Sequence, residues 1–418
     1  MGRARSIAFI LNVALVGAAG CGRSHALSVP DGATVETEGG PTAIASGRDG
    51  GGDAIEAMAP DAGAAPDVPL LLDASAAPDV TDAADTSPAP LPKDYRVIQL
   101  AVGRTHNCAV LDNHRIKCWG DNASGQLGLG DQMDRGSDPS TMGNALPFVD
   151  LGPGRTAKSV SAGRYATCAI LDDDELKCWG IPFVSTPTPV DLGAGRKAVA
   201  VANGFTESCA ARDDGSFSCW NSNGPSTTVA AATDGARVVE LARDVSTIGL
   251  FDDGSVRRIS LGSPDGPTPV DFGGPATFVA GASNYSHLDC VVLRAGGTAC
   301  TGAPPQAPVP PTADLVTIAI TEGQHACGLD SAGVVTCWNI QAHPEWGVTA
   351  GAPNAVQVPL GQPAVAVGAG DYSGCALLAD GTVKCWAIDG TYPLSLGGSF
   401  ATSTGVWPPV DLGTRSVP

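Results

Sequence analysis

The chain has 418 residues, with 43 acidic against 24 basic side chains and a formal net charge of −19. This balance disfavours a nucleic-acid partner, which needs a basic surface to neutralise phosphates, and it disfavours adsorption to an anionic membrane. Aromatic residues make up only 5% of the chain, whereas glycines number 54 and prolines 33, a composition that favours many turns and a core of small side chains.

The N-terminus has the pattern of an export signal. Two arginines precede the apolar stretch IAFILNVALVGAAG, which is short for a membrane span, and small residues stand directly before Cys21. This arrangement resembles the bacterial lipoprotein box, in which the cysteine sulfur receives a diacylglycerol. We expect residues 1–20 to be a lipoprotein signal peptide and Cys21 to be lipidated, the alternative being an ordinary signal peptide. Because Gly22 is not the aspartate that often retains lipoproteins at the inner membrane, the outer membrane or cell surface is favoured.

Residues 21–93 differ in composition from the rest of the chain. They are rich in Ala, Pro, Asp and Gly and contain no aromatic residue. Such a segment cannot bury enough apolar surface to offset the entropy of ordering. We therefore expect a disordered acidic tether whose root-mean-square span is roughly 45 Å.

From residue 94 to residue 418 the chain is built from repeats. Six pairs of cysteines have the same separation along the chain, and a seventh unit, residues 248–258, keeps the length without the cysteines. Cys21 is the one cysteine left over. The pairs are Cys108 and Cys118, Cys168 and Cys178, Cys209 and Cys219, Cys290 and Cys300, Cys327 and Cys337, and Cys375 and Cys385.

Each unit has the alternation of a β-hairpin. Apolar residues alternate with small or polar ones on both sides of a turn, and five turns have glycine at the place where a three-residue loop needs a left-handed residue. His114 and Asp174 take that place in the first two units. Counting outward from the turn makes each cysteine pair a directly opposed, non-hydrogen-bonded pair, with Cα atoms about 4.5 Å apart. We therefore expect six disulfides, each within one hairpin, which indicates an oxidising compartment.

Metal binding is the competing explanation for paired cysteines. Zinc sites favour cysteines two to four residues apart, often with histidine, and the six histidines of this chain show no ligand spacing. We expect no metal and no cofactor.

Two further strand-like runs accompany each hairpin, one before it and one after it. Four short strands in each of seven units predict an all-β, seven-bladed β-propeller. The last run, residues 408–413, has no hairpin after it. We expect this run to pair into the first blade and lock the ring.

The first unit contains Gly103, His106, Trp119-Gly120 and the sequence GQLG at residues 125–128. This pattern resembles the repeat of the regulator of chromosome condensation family, and partial copies follow in phase. The resemblance implies a seven-bladed propeller. The nucleotide-exchange and chromatin-binding roles of the founding member do not transfer to an exported acidic chain, whereas exported bacterial relatives act as binding surfaces.

Several other features have structural explanations. The acidic run 171–176 suggests calcium but lacks the alternating ligands of a calcium loop, and the stretch 125–130 lacks the Lys and Ser/Thr of a phosphate loop. Trp346 stands at a spacing typical of a blade core. His106 and His325 are expected to pack within or between blades rather than to catalyse, and we find no catalytic residue set.

The predicted function is therefore a non-enzymatic protein-binding propeller on a lipid anchor at the bacterial cell envelope. The partner is an unknown envelope or extracellular protein, or a glycan. Residues 131–147 and 339–355 are the predicted contact regions. Two alternatives stay open: an envelope enzyme, a lyase or a glycan-cleaving enzyme with its site in the propeller channel, and a structural element of a surface assembly.

Overall fold

The computed structural model describes the chain from residue 94 onward with several gaps. The gaps are residues 205–206, 222–223, 243–246, 261–264, 282–288, 302–313, 321–324, 340–354, 371–372, 388–407 and 416–418. The predicted signal peptide, Cys21 and the tether lie outside the described residues, as do Trp346 and most of the contact region 339–355. Among the residues described, no helix has the length and apolar character needed to span a membrane.

The described chain folds into seven antiparallel sheets and two single-turn 3-10 helices, Pro139–Thr141 and Gly143–Ala145. The first four sheets contain β1 Val97–Val102, β2 His106–Leu111 and β3 Ile116–Gly120; β4 Ala157–Ala162, β5 Ala166–Leu171, β6 Leu176–Gly180 and β7 Thr188–Pro189; β8 Ala198–Asn203, β9 Glu207–Arg212, β10 Phe217–Asn221 and β11 Gly224–Val229; β12 Val238–Ala242, β13 Thr247–Phe251, β14 Val256–Ile259 and β15 Thr268–Val270. The last three contain β16 Ala276–Gly281, β17 Asp289–Leu293 and β18 Thr298–Thr301; β19 Leu315–Ile320, β20 His325–Asp330, β21 Val335–Asn339 and β22 Val356–Gln357; β23 Ala364–Ala369, β24 Ser373–Leu378 and β25 Val383–Ala387.

The hairpins have the register that the alternation predicts. In the first blade Cys108 lies directly opposite Cys118, and the turn is closed by the Leu111 N–H donating to the Arg115 carbonyl at 2.9 Å. Each of the six cysteine pairs forms a disulfide within its hairpin, with Cα atoms 4.0–4.1 Å apart. The predicted left-handed turn residues have positive φ, including His114 at 59° and Asp174 at 72°.

The seven sheets form a closed ring. The first strand of each sheet packs against the first strand of the next, and β23 packs against β1. Seven separate hydrophobic clusters lie one at each seam between neighbouring blades, including the seam between the last blade and the first. Seven blades in a closed ring confirm the seven-bladed propeller predicted from the repeat. The clusters at the seams also show that each blade buries its faces against its neighbours.

The unit without cysteines forms a complete blade. Its four strands β12–β15 pair in order, and Ile248 lies opposite Arg258 at the register position that the cysteines occupy elsewhere. The fifth unit contributes three strands in the part of the chain that the structure describes. Loss of the disulfide therefore does not abolish the blade.

The prediction that residues 408–413 pair into the first blade is wrong for most of this segment. The Val410 N–H donates to the Val383 carbonyl at 2.8 Å, and Pro409 bridges Lys384, so the segment is the outer strand of its own blade. Its end then contacts the first blade, because Thr414 bridges Asp94 and the Tyr95 N–H donates to the Gly413 carbonyl at 3.5 Å. The backbone of Val410 thus pairs with the hairpin that precedes it along the chain, while its side chain packs in the hydrophobic cluster shared with the first blade.

Candidate binding surface

The propeller has two ends with different chemistry. We call the end that carries the seven hairpin turns the turn end, and the opposite end, where the first strand of each blade connects to the second, the loop end. In the second blade the turn end holds Asp172–Asp174, and the loop end holds Tyr165 and the segment after Gly180. Loops at such ends are the usual place of function in rigid β scaffolds.

The charges of the turn end are largely paired within the protein. In the second blade Arg155 contacts both Asp172, at 2.9 Å, and Asp173, and the hydrogen bond from the Arg155 side chain lowers the pKa of Asp173 to about 2. Asp174 contacts Lys158 of its own blade and Lys197 of the next. The acidic run that suggested calcium is therefore a hairpin turn whose carboxylates contact basic side chains of the chain.

Similar ion pairs occur in the third and fourth blades. Arg196 contacts Asp214 at 3.1 Å, and Arg257 contacts Asp234 at 2.8 Å and Asp253 at 3.0 Å. The Arg196 pair is largely exposed and contributes little to stability, whereas the Arg257 side chain is buried and only its aspartate partners are exposed. All of these pairs reduce the free charge that the turn end presents to a partner.

The loop end of the first two blades is built by the GQLG sequence. The Gln126 carbonyl accepts hydrogen bonds from Trp179 Nε1 and Thr167 Oγ1, both at 2.8 Å and both from the second blade. Gly128 has a φ of 73°, and a Cβ there would lie 2.7 Å from Trp179 Nε1. The glycine is needed because the loop lies against the indole, and the sequence has a packing role rather than a phosphate-binding one.

His106 belongs to the same seam. It is fully buried, and its Nε2 lies 2.8 Å from Thr167 Oγ1 on the next blade. This placement agrees with the prediction of a packing histidine. The side chain of His325 lies outside the described residues.

The loop end also exposes apolar side chains. Among the described residues, four of the five exposed large hydrophobic residues lie here, on the first two blades: Met133, Tyr165, Ile181 and Val184. We call these four residues the blade 1–2 apolar surface. They lie on three loops, and the loop of Met133 is joined to the loop of Ile181 and Val184 because the Gly130 N–H donates to the Ser185 carbonyl at 2.9 Å.

Backbone contacts fix the second-blade part of this surface. The Ile181 N–H donates to the Tyr165 carbonyl at 2.9 Å, and the Gly180 N–H donates to the Val184 carbonyl at 2.9 Å. The guanidinium carbon of Arg164 lies 4.7 Å from the centre of the Tyr165 ring. An aromatic ring beside a guanidinium and aliphatic side chains is typical of the anchor regions of protein interfaces.

The predicted contact region 131–147 divides into two parts. Met133 belongs to the blade 1–2 apolar surface and is 62% exposed. The later part packs against the chain end: the Gly143 N–H donates to the Asp411 carbonyl at 3.0 Å, and Asn144 bonds to Thr414. Sequence reasoning missed this second role because its partner lies far along the chain.

The channel-enzyme alternative requires converging carboxylates or histidines. Within the bounds of the seven first strands, which the structure describes in full, the acidic residue is Glu240, and Lys158 is the basic one. A separate group, Glu207 with Cys209 and Cys219, has the proximity of a metal site. Both cysteines are joined in a disulfide, so they do not supply the thiolates that a metal needs.

Comparisons with known proteins agree with this architecture. The family model of the regulator of chromosome condensation (RCC1) repeat matches residues 97–126 and 157–182, which include the first strand and hairpin of the first two blades. The ultraviolet-B receptor UVR8 of Arabidopsis thaliana is 35% identical over 86 residues, which cover 20% of this chain and 18% of the receptor. The chain thus matches under a fifth of that relative's length.

Solved structures are similar to this chain at low sequence identity. The CRINKLY WD40 ectodomain of the receptor kinase ACR4 from Arabidopsis thaliana is 18% identical, with a TM-score of 0.50 over 72% of this chain and 98% of that ectodomain. Prp20p from Saccharomyces cerevisiae, described with its binding to Gsp1p and histones, is 15% identical, with a TM-score of 0.41 over 75% of this chain and 76% of that protein.

Proposed function

The chain belongs to the regulator of chromosome condensation repeat propellers, and from this premise we propose that it is a non-enzymatic protein-binding propeller held at the cell envelope by a lipid on Cys21. The observation that carries the proposal is the blade 1–2 apolar surface at the loop end. The partner is an envelope or extracellular protein that covers Tyr165, Ile181 and Val184.

The chemistry of the two ends supports this assignment. Exposed apolar side chains that lie together on a rigid scaffold mark interaction sites. At the turn end, by contrast, many of the aspartates already contact arginine or lysine within the protein. A net charge of −19 further favours a protein partner over a nucleic acid.

The location at the envelope rests on two observations. Six disulfides indicate an exported or extracellular protein, because such bonds persist only in an oxidising compartment. The N-terminal signal pattern and Cys21 support a lipid anchor, followed by the tether predicted for residues 21–93. Metabolic labelling with a lipid precursor tests the anchor: the wild-type chain should incorporate the label, and Cys21→Ser should not.

Binding is tested by in vivo crosslinking of the full chain followed by mass spectrometry. The variant Tyr165→Ser/Ile181→Ser/Val184→Ser should lose the crosslinked partner, whereas Lys197→Ser, at the turn end, should retain it. Equal partner recovery by the two variants would contradict the assignment of the surface. Circular dichroism on both variants checks that the propeller is intact.

A further inference from the structure

Glu240 is an acidic side chain in an apolar setting between the fourth and fifth blades. It lies on β12, the first strand of the fourth blade, and is partly buried. The strands packed against β12 are β8, β13 and β16. Their sequences, AVAVAN, TIGLF and ATFVAG, contain no titratable residue, so no charged group on them faces Glu240. The same seam also holds the ion pair of Arg258 on β14 with Asp289 on β17.

Gln99 occupies the equivalent register position in the first blade. Both residues follow the bulge in their first strand, Gln99 opposite Val110 and Glu240 opposite Leu250. The Gln99 carboxamide spans to the next blade and contacts both backbone groups of one residue. Its Oε1 accepts from the Val160 N–H at 2.9 Å, and its Nε2 donates to the Val160 carbonyl at 3.3 Å.

Glu240 makes the corresponding contact at the seam between the fourth and fifth blades. Its carboxyl group accepts a hydrogen bond from the backbone N–H of Val279. Val279 pairs with Val291 as Val160 pairs with Ala169, so the two valines have the same orientation in their strands. In an antiparallel pair, both backbone groups of such a residue point away from the partner strand. The Val279 carbonyl is therefore directed toward the same side as its N–H.

The Glu240 carboxyl group thus faces both a donor, the Val279 N–H, and an acceptor, the Val279 carbonyl. A carboxylate can only accept, whereas a protonated carboxyl group also has one O–H to donate. Only the neutral acid reproduces what the Gln99 carboxamide does with both groups of Val160.

We propose that Glu240 is a proton-dependent clamp between the fourth and fifth blades: the neutral acid bonds to both backbone groups of Val279, whereas the carboxylate accepts only from the N–H and opposes the carbonyl, so that ionisation weakens the clamp. Burial supports this, because it raises the pKa of Glu240 from 4.5 to about 8, against the opposing effect of the Val279 N–H. Between pH 4.5 and pH 8, Glu240 therefore keeps its proton while it is buried in the closed clamp and loses that proton when the clamp opens to solvent. The clamp is fully effective below about pH 4.5, weakens as the pH rises, and is lost above about pH 8.

Hydrogen exchange of the Val279 amide in the full chain tests the clamp. After correction for the intrinsic exchange rate, its protection should fall by up to about tenfold per pH unit between pH 4.5 and pH 8. The Val160 amide is the internal reference, because a carboxamide that does not titrate holds it, and its protection should stay constant. Glu240→Gln should make the protection of Val279 independent of pH.

The reverse substitution, at Gln99, supplies the second variant. Gln99→Glu places a carboxyl group before Val160 and should transfer the pH dependence to the seam between the first and second blades. The inference is overturned if Val279 protection in the wild-type chain and in Glu240→Gln follows the same pH profile. It is also overturned if Val279 and Val160 behave alike in the wild-type chain.

Discussion

The Lys117 ammonium nitrogen lies 2.7 Å from the carbonyl oxygen of Leu412, a residue 295 positions later in the chain. The lysine is on the first blade and the leucine is on the outer strand of the last blade. The contact therefore crosses the seam at which the last blade meets the first and the ring closes. The same nitrogen also donates to the Gly143 carbonyl at 2.7 Å. Lys117 is only 2% exposed, and the Phe148 ring centre lies 4.8 Å from its nitrogen.

The same contact recurs at seams where the chain is continuous. Lys177 donates to the Leu151 carbonyl of the preceding blade at 3.1 Å, and Lys384 donates to the Leu360 carbonyl at 2.8 Å. The three lysines occupy the same position, directly before the second cysteine of their units. The same type of contact, a lysine that donates to a backbone carbonyl of the preceding blade, therefore joins the last blade to the first and also joins blades that are consecutive in the chain.

Replacing Lys117 by methionine should destabilise the propeller by about 2–4 kcal/mol, because two buried carbonyl groups lose a charged donor. Lys384→Met is the matched control and should cost about 1 kcal/mol, since that lysine contacts one carbonyl and is less buried. Urea denaturation followed by tryptophan fluorescence measures both. Equal costs for the two variants would contradict a special role for Lys117 in closing the ring.

The stability of the protein should rise with pH between about 8 and 10.5 through Lys117. Burial lowers the pKa of the Lys117 ammonium from 10.5 to about 8. In that window the unfolded chain binds the proton and the folded chain has lost it, so raising the pH favours folding. Below pH 8 both states are protonated, and the effect disappears. The slope for this group is at most about 1.4 kcal/mol per pH unit, and comparing the wild-type chain with Lys117→Met isolates it from other titrations.

Much of the blade could be predicted from local sequence. The spacing of cysteines, the turn glycines and the alternation define each hairpin, since these features act between residues at most ten positions apart. His114 and Asp174 were recognised as left-handed residues for the same reason. The position of the outer strand of the last blade is not predictable in this way, because the sequence of residues 408–413 is compatible with either neighbouring blade.

The contacts between blades could not be predicted in this way. Lys117 looks like one polar residue among others on a strand until Leu412 is placed beside it. The exposure of Tyr165, Ile181 and Val184 likewise depends on how the loops of two blades meet. Such features depend on the packing of residues that are distant in sequence, and the repeat itself does not encode them.

The turn residue of the first hairpin offers a stabilising substitution. His114 has a φ of 59° and is exposed, so His114→Gly should stabilise the propeller by about 0.5–1 kcal/mol by relieving the left-handed conformation. Gly215→Ala is the reverse test, because Gly215 has a φ of 85° and an added Cβ would have no contact closer than 3.5 Å. It should cost about 1 kcal/mol. Thermal denaturation should show a higher melting temperature for His114→Gly and a lower one for Gly215→Ala. A loss of stability in His114→Gly would contradict the argument.

The disulfide of the third blade should contribute about 2.5–3 kcal/mol through the constraint that it places on the unfolded chain. Cys209→Ala/Cys219→Ala removes it without leaving a thiol, and both sites are fully buried. Peptide mapping without reduction should find all six links within single hairpins. Free thiols at these positions, or links between different units, would contradict the hairpin arrangement.

The last prediction concerns the blade without a disulfide. Arg258 stands where the other units have their second cysteine, and its guanidinium lies 2.6 Å from the Asp289 carboxylate on the fifth blade. The Asp289 side chain is fully buried. Removing one partner of a buried ion pair leaves the other uncompensated, so Arg258→Met should cost about 3 kcal/mol. Arg155→Met, which breaks exposed pairs at the turn end, should have little effect on stability.

A double-mutant cycle separates the ion pair from general packing effects. If Arg258 acts through Asp289, the variant Arg258→Met/Asp289→Asn should be less destabilised than the sum of the two single variants by at least about 1 kcal/mol. Additive costs would mean that each side chain stabilises its own blade independently. A positive coupling would show that the cysteine-free unit is tied to its neighbour by charge, whereas the other six units are cross-linked internally. The seam between the fourth and fifth blades would then depend on an ionised pair, Arg258 with Asp289, at one place and on protonated Glu240 at another, so its stability should depend on pH through both.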